Sequence, residues 1–68
     1  MIGRVKSFSM RNRYGFIDVK GVDYFFHMEE WMGKEYPKPG DMVDFQPFDS
    51  SKGKKALIVS KLRREYGK

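Results

Sequence analysis

Short runs of alternating apolar and polar residues, each closed by a turn signal, follow one another from Ile2 to Leu62. That pattern points to strands, in which successive side chains take opposite faces. The first strand is predicted over Ile2 to Phe8, with Val5 inward and Arg4, Lys6 and Phe8 on the outer face. "SMRNR" is a polar, basic connection to a second strand over Tyr14 to Val19. The turn Lys20 to Asp23 holds Gly21, which supplies a positive backbone angle at no steric cost. A third strand follows at once in "DYFFHM", with Asp23, Phe25 and His27 on one face and Tyr24, Phe26 and Met28 on the other. Pro37, Pro39 and Gly40 limit the next segment to a loop, with at most a helical turn around Glu29 to Met32. A fourth strand is predicted over Asp41 to Phe48, where Pro47 requires an edge or a bulge. The lysine-rich turn "DSSKGKK" leads to a fifth strand over Ala56 to Leu62, apolar enough to be covered on both faces. Five short strands with one longer connection predict an all-β domain, a small five-stranded antiparallel barrel of OB type. Closure removes sheet edges that would otherwise aggregate.

With 68 residues the chain suffices for one domain. A domain of this size buries only roughly 60% of its unfolded surface, and with no cysteine no disulfide or thiolate metal site adds to its stability. A single histidine makes no metal cluster by itself, so neither metal nor cofactor is expected. No apolar run approaches the roughly 20 residues of a membrane span, and "MIGRVKSF" lacks the apolar stretch of a secretory signal. A cytoplasmic protein without membrane contact is the expectation. The formal charge of +5 favours polyanionic partners.

The second strand raises a specific question. Tyr14 and Phe16 share a face with Asp18, while Gly15, Ile17 and Val19 take the other. Ile17 and Val19 read as core, which leaves two rings on the charged side. The third strand repeats the oddity with Phe25 and His27, and the tight turn makes the two strands neighbours. Together with Phe8 and Lys6 these rings form an aromatic patch among cations. A purely structural reading is a stabilising cross-strand pair, worth up to about 1 kcal/mol. The clustering of rings with lysines and arginines favours a binding surface, because bases stack on aromatics for roughly 1–3 kcal/mol each while cations follow the phosphates.

"GRVKSF", "NRYGFI" and "DYFFHM" resemble the motifs of bacterial cold-shock proteins and the related eukaryotic cold-shock domains. The family typically reads G-x-V-K-W-F, then K-G-[FY]-G-F-I, then D-[VI]-F-[VF]-H. "PGDMVDF" is similar to its E-G-x-x-V-x-F, and "SKGKKA" stands where it often has a K-G-P-x-A turn. The resemblance runs from about Gly3 to Leu62 and implies an OB-type barrel that binds single-stranded RNA or DNA. Carried over position by position, it implies nucleic-acid contacts at Lys6, Phe8, Tyr14, Phe16, Phe25 and His27. Tyr36 falls where the family often has a loop aromatic, and Lys52 fits its basic residue near the last turn. Ser7 replaces the family's tryptophan, Met28 a phenylalanine and Arg13 a glycine. Arg13 adds a cation at the patch edge, and the Met28 thioether offers a weaker contact to a base. The family's bacterial members tend to be acidic, so this basic chain is expected to rely more on phosphate contacts.

The expected function is therefore single-stranded nucleic-acid binding by a monomer, as an RNA chaperone or a regulator of transcription or translation. Residues 1–62 form the binding domain and residues 63–68 a basic tail. A small-molecule substrate is not expected, and His27 lacks a motif-fixed partner for catalysis, so an enzyme is not expected either. The alternative is an OB-type protein-interaction module, with Tyr14, Phe16 and Phe25 as its hot spot. Trp31 is expected to anchor core or loop, and Glu29 and Glu30 to be loop charges.

Overall fold

A computed structural model describes residues 1–62; the expected basic tail at 63–68 lies outside the described residues. Five strands, β1 (Ile2–Ser9), β2 (Tyr14–Val19), β3 (Val22–His27), β4 (Met42–Ser50) and β5 (Gly53–Lys61), form a closed barrel in the order β1-β2-β3-β5-β4. A single 3₁₀ turn, Met28–Glu30, follows β3. The lysine-rich connection before β5 is shorter than expected, because β4 and β5 pair as far as Ser50 and Gly53.

Neighbouring strands are antiparallel except at the closure, where β3 and β5 run parallel. Direction forces this departure from an all-antiparallel sheet. β4 runs against β1 and β5 against β4, so β5 points the same way as β3.

The core consists of Val5, Ile17, Tyr24, Phe26, Trp31, Val43, Phe45, Ala56 and Val59. On β2 and β3 the inward set follows the alternation read from sequence, with Gly15 and Ile17 buried on β2 and Tyr24 and Phe26 on β3. Trp31 anchors the long loop: its indole packs against Phe26 and its Nε1 donates to the Glu35 carbonyl at 2.6 Å.

Two bulges break the alternation elsewhere. On β1, Val5 lies opposite Ile17 but Ser7 lies opposite Phe16, so Lys6 is an extra residue. Everything after it changes face. Phe8 therefore turns inward, lies opposite Gly15 and stacks on Phe26 with ring centroids 6.0 Å apart and planes 17° apart. This corrects the expected grouping of Phe8 with the outward rings. On β5, Asp44 faces Ser60 while Gln46 faces Leu57, which again inserts one residue. Ile58 takes φ 49° there and is exposed, so β5 is covered on one face and not on both. Its N–H, freed from the ladder, donates to Glu30 Oε1 at 2.9 Å. Glu30 thus has a structural partner where only a loop charge was expected.

Candidate nucleic-acid interface

The outer face of β2 and β3 carries Tyr14, Phe16 and Phe25, each half-buried. Register brings them together, because Phe16 pairs with Phe25 and Tyr14 with His27. Ring centroids lie 5.3 Å apart for Tyr14–Phe25, 5.8 Å for Phe16–Phe25 and 6.1 Å for Tyr14–Phe16. The interplanar angles of 45°, 68° and 81° are the tilted and edge-on arrangements that ring quadrupoles favour. The three rings are consequently not coplanar, and the surface they form is stepped rather than flat.

His27 flanks this trio. Its Nδ1 accepts from the Glu29 backbone N–H at 3.1 Å, capping the 3₁₀ turn. In the neutral ring an accepting Nδ1 leaves the proton on Nε2, which is then a donor for an approaching base or phosphate. Met28 lies behind it, half-buried and packed on the core. The Met28 N–H donates to the Arg13 carbonyl at 2.8 Å, and the Arg13 N–H to the Ser9 carbonyl at 2.7 Å. Those two bonds tie the β1–β2 connection to the end of β3. They also hold Arg13 at φ 63°, a left-handed geometry that glycine adopts freely and other residues reach only at a cost. The family's glycine at this position has its physical reason in that angle.

Lys6, the bulged residue, reaches across to Asp23, with Nζ 3.2 Å from Oδ1 and 3.1 Å from Oδ2. Asp23 lies directly opposite Asp18, so the cation offsets a repulsive pair of carboxylates. Exposed ion pairs contribute about 0–1 kcal/mol, so Lys6 can exchange Asp23 for a phosphate at small cost. Ser7, opposite Phe16, brings no ring to the spot where the family's tryptophan would extend the surface.

Two expected residues lie apart from the trio. Tyr36 is 53% exposed and lines a separate cleft with Trp31, Met32, Met42 and Leu62. Loop length after Trp31 governs its position, and no strand register holds it. Lys52 lies at the exposed tip of the β4–β5 turn, its N–H bonded to Ser50 Oγ. A residue of the lysine-rich turn that the sequence left open as a merely solvated charge lies beside the trio instead. Lys55 pairs with Phe25 across the β3–β5 closure, and among the described residues no carboxylate lies within ion-pair distance of it. Lys54, on the opposite face, is engaged by Asp49 at 3.1 Å. That hydrogen bond, with the carboxylate's charge and Tyr24, raises the Lys54 ammonium above its ordinary value. Among the described residues no group of three His, Cys, Asp or Glu side chains comes together to hold a metal ion.

The geometry is that of a small barrel presenting rings between cations on one face, and comparison with known proteins places it. The family model for the "cold-shock" DNA-binding domain matches residues 1–62. The chain belongs to the cold-shock domain family. A solved structure of Drosophila Unr CSD456 is similar to this domain, with a TM-score of 0.76 at 18% identity. The match covers 98% of this chain and 28% of that one, so this cold-shock domain spans little more than a quarter of its structural neighbour. At that identity the likeness shows the fold. No curated protein matches the sequence.

Proposed function

We propose that the outer face of β1 to β3 binds single-stranded RNA or DNA by stacking bases on Tyr14, Phe16 and Phe25, while Lys6, Arg13, Lys52 and Lys55 attend the phosphates. The observation that carries this reading is the outward-facing, half-buried ring trio on paired strands of a cold-shock domain with a charge of +5. Unstacked bases of single strands offer π faces to such rings, whereas a duplex hides them. With stacking and charge as its main contacts, binding tolerates sequence differences. Occupied strands cannot form hairpins, so the protein acts as a passive, stoichiometric RNA chaperone or as a regulator of transcription or translation. Barrel closure leaves no long sheet edge for strand pairing between copies, which supports a monomer. A cytoplasmic location belongs to the same proposal, and imaging of the tagged protein tests it.

An NMR titration with short oligouridine or oligothymidine at moderate salt tests the binding. Shifts centred on Tyr14, Phe16, Phe25 and His27 are expected. Their absence overturns the reading and leaves the rings as a docking patch for a protein.

Arg13 provides a second test. Replacing it with glycine relieves the left-handed strain, about 1–2 kcal/mol, against about 0.4–1 kcal/mol of added chain entropy in the unfolded state. Arg13→Gly is therefore expected to raise stability in urea by roughly 0.5–1 kcal/mol. It also removes one phosphate contact, so the slope of log affinity against log salt becomes shallower by about 0.7. An unchanged slope would show that Arg13 touches no phosphate.

A further inference from the structure

We propose that the bound strand continues past Phe25, over Lys55, to a further base-stacking position at Phe48 on β4. This inference rests on the nucleic-acid reading above and extends it around the barrel. Register sets a single row across all the strands: Ser7 opposite Phe16, Phe16 opposite Phe25, Phe25 opposite Lys55, and Lys55 opposite Phe48. Directly paired residues share a face of the sheet, so Phe25, Lys55 and Phe48 all point outward.

Phe48 is 50% exposed. A lone exposed apolar side chain is ordinary; its place at the end of this row is what distinguishes it. Among the described residues its ring pairs with no other aromatic, so its solvent-exposed half is not engaged in a ring–ring contact. β4 lies two strands beyond β3, about 10 Å at the usual strand spacing. That is too far for two bases stacked on each other at about 3.4 Å. Bases splayed apart onto Phe25 and Phe48 fit the gap, which is how single strands are commonly read. The phosphodiester joining them would then pass over Lys55, whose ammonium has no competing carboxylate within ion-pair distance among the described residues. A ring, a cation and a ring in sequence match the base, phosphate and base of an extended strand. Lys54 points to the other face and is occupied by Asp49, so this path depends on Lys55.

The experiment compares oligothymidines of about four and about eight nucleotides, within the site sizes of single OB folds, on the full chain and on Phe48→Ala and Phe48→Tyr. Amide spectra check that each variant keeps the fold. The wild-type chain is expected to bind the longer strand more tightly than the number of binding registers alone allows. Phe48→Ala is expected to weaken the longer strand at least about fivefold, the effect of one stacked base, and to leave the shorter one unchanged. Phe48→Tyr is expected to match wild type. Equal affinities for wild type and Phe48→Ala at both lengths would overturn the extension while the ring trio stands. Equal losses at both lengths would overturn it too, since Phe48 would then belong to the primary site. Failure of the wild type to bind either strand would remove the underlying reading along with it.

Discussion

Replacing Phe16 and Phe25 together with alanine is expected to weaken binding of a short oligouridine by about 2–5 kcal/mol, between about thirtyfold and several thousandfold. The barrel is expected to stay folded. Both rings lie on the outer face, half-buried against each other and Tyr14, while the core beneath rests on Ile17, Tyr24 and Phe26. The double variant removes both rings of one cross-strand pair, so the stability cost is that of an aromatic pair and its partial burial, roughly 1–3 kcal/mol. Fluorescence titration gives the affinity, and urea unfolding gives the stability separately. Wild-type affinity in a folded double variant would remove stacking from the mechanism. A loss confined to protein unfolding would show that the rings serve only the sheet.

Those rings were legible in the sequence because β2 and β3 are regular and joined by a tight turn. Strict alternation from Tyr14 to Val19, and again from Asp23 to His27, needs only local geometry, and the turn at Lys20 and Gly21 sets the register between the strands. Legibility ended where the strands bulge. Val5 and Phe8 are three residues apart, an odd interval for two side chains that both face inward. That interval was the available signal of an extra residue, and Lys6 is that residue. Ala56 and Val59 show the same interval on β5. A bulge inverts every later residue, so without the insertion at Lys6 strict alternation puts Phe8 on the outer face rather than on the core side where it lies.

Lys55 and Phe48 were hidden for a different reason. Their neighbourhood with Phe25 arises only when β5 closes the barrel against β3, a contact between segments about thirty residues apart in the chain. Alternation within a strand says which face a residue takes. It says nothing of which strand lies alongside after a long loop. The same limit applies to Tyr36, whose cleft is built by the β3–β4 connection and the ends of β4 and β5.

Gly15→Ala is expected to be the most destabilising single methyl that can be added to the β2 motif. Gly15 lies between Phe8 on one side and Phe26 on the other. A Cβ built there would stand 2.3 Å from the Ser7 carbonyl oxygen, 3.0 Å from Phe8 Cα and 3.0 Å from Phe26 Cε1. Two of those three neighbours are backbone atoms of β1, which cannot rotate away as a side-chain tip would. The close approach lets Phe8 lie over Phe26, so the methyl would also separate that stack. Overpacking costs about 1–3 kcal/mol in general, and a contact against backbone belongs at the upper end. The reduced entropy of the unfolded chain returns only about 0.4–1 kcal/mol. A net loss near 2 kcal/mol is expected to lower the melting temperature by roughly 8–16 °C in a domain of this size. A shift under about 4 °C would show that β1 can move aside and that the bulge at Lys6 is pliant. Affinity measured well below the transition separates the two motif residues. On the proposed reading Phe16 would act on the ligand directly, whereas Gly15 acts on stability, through the close contact of β1 with β2 and the inward stack of Phe8 on Phe26.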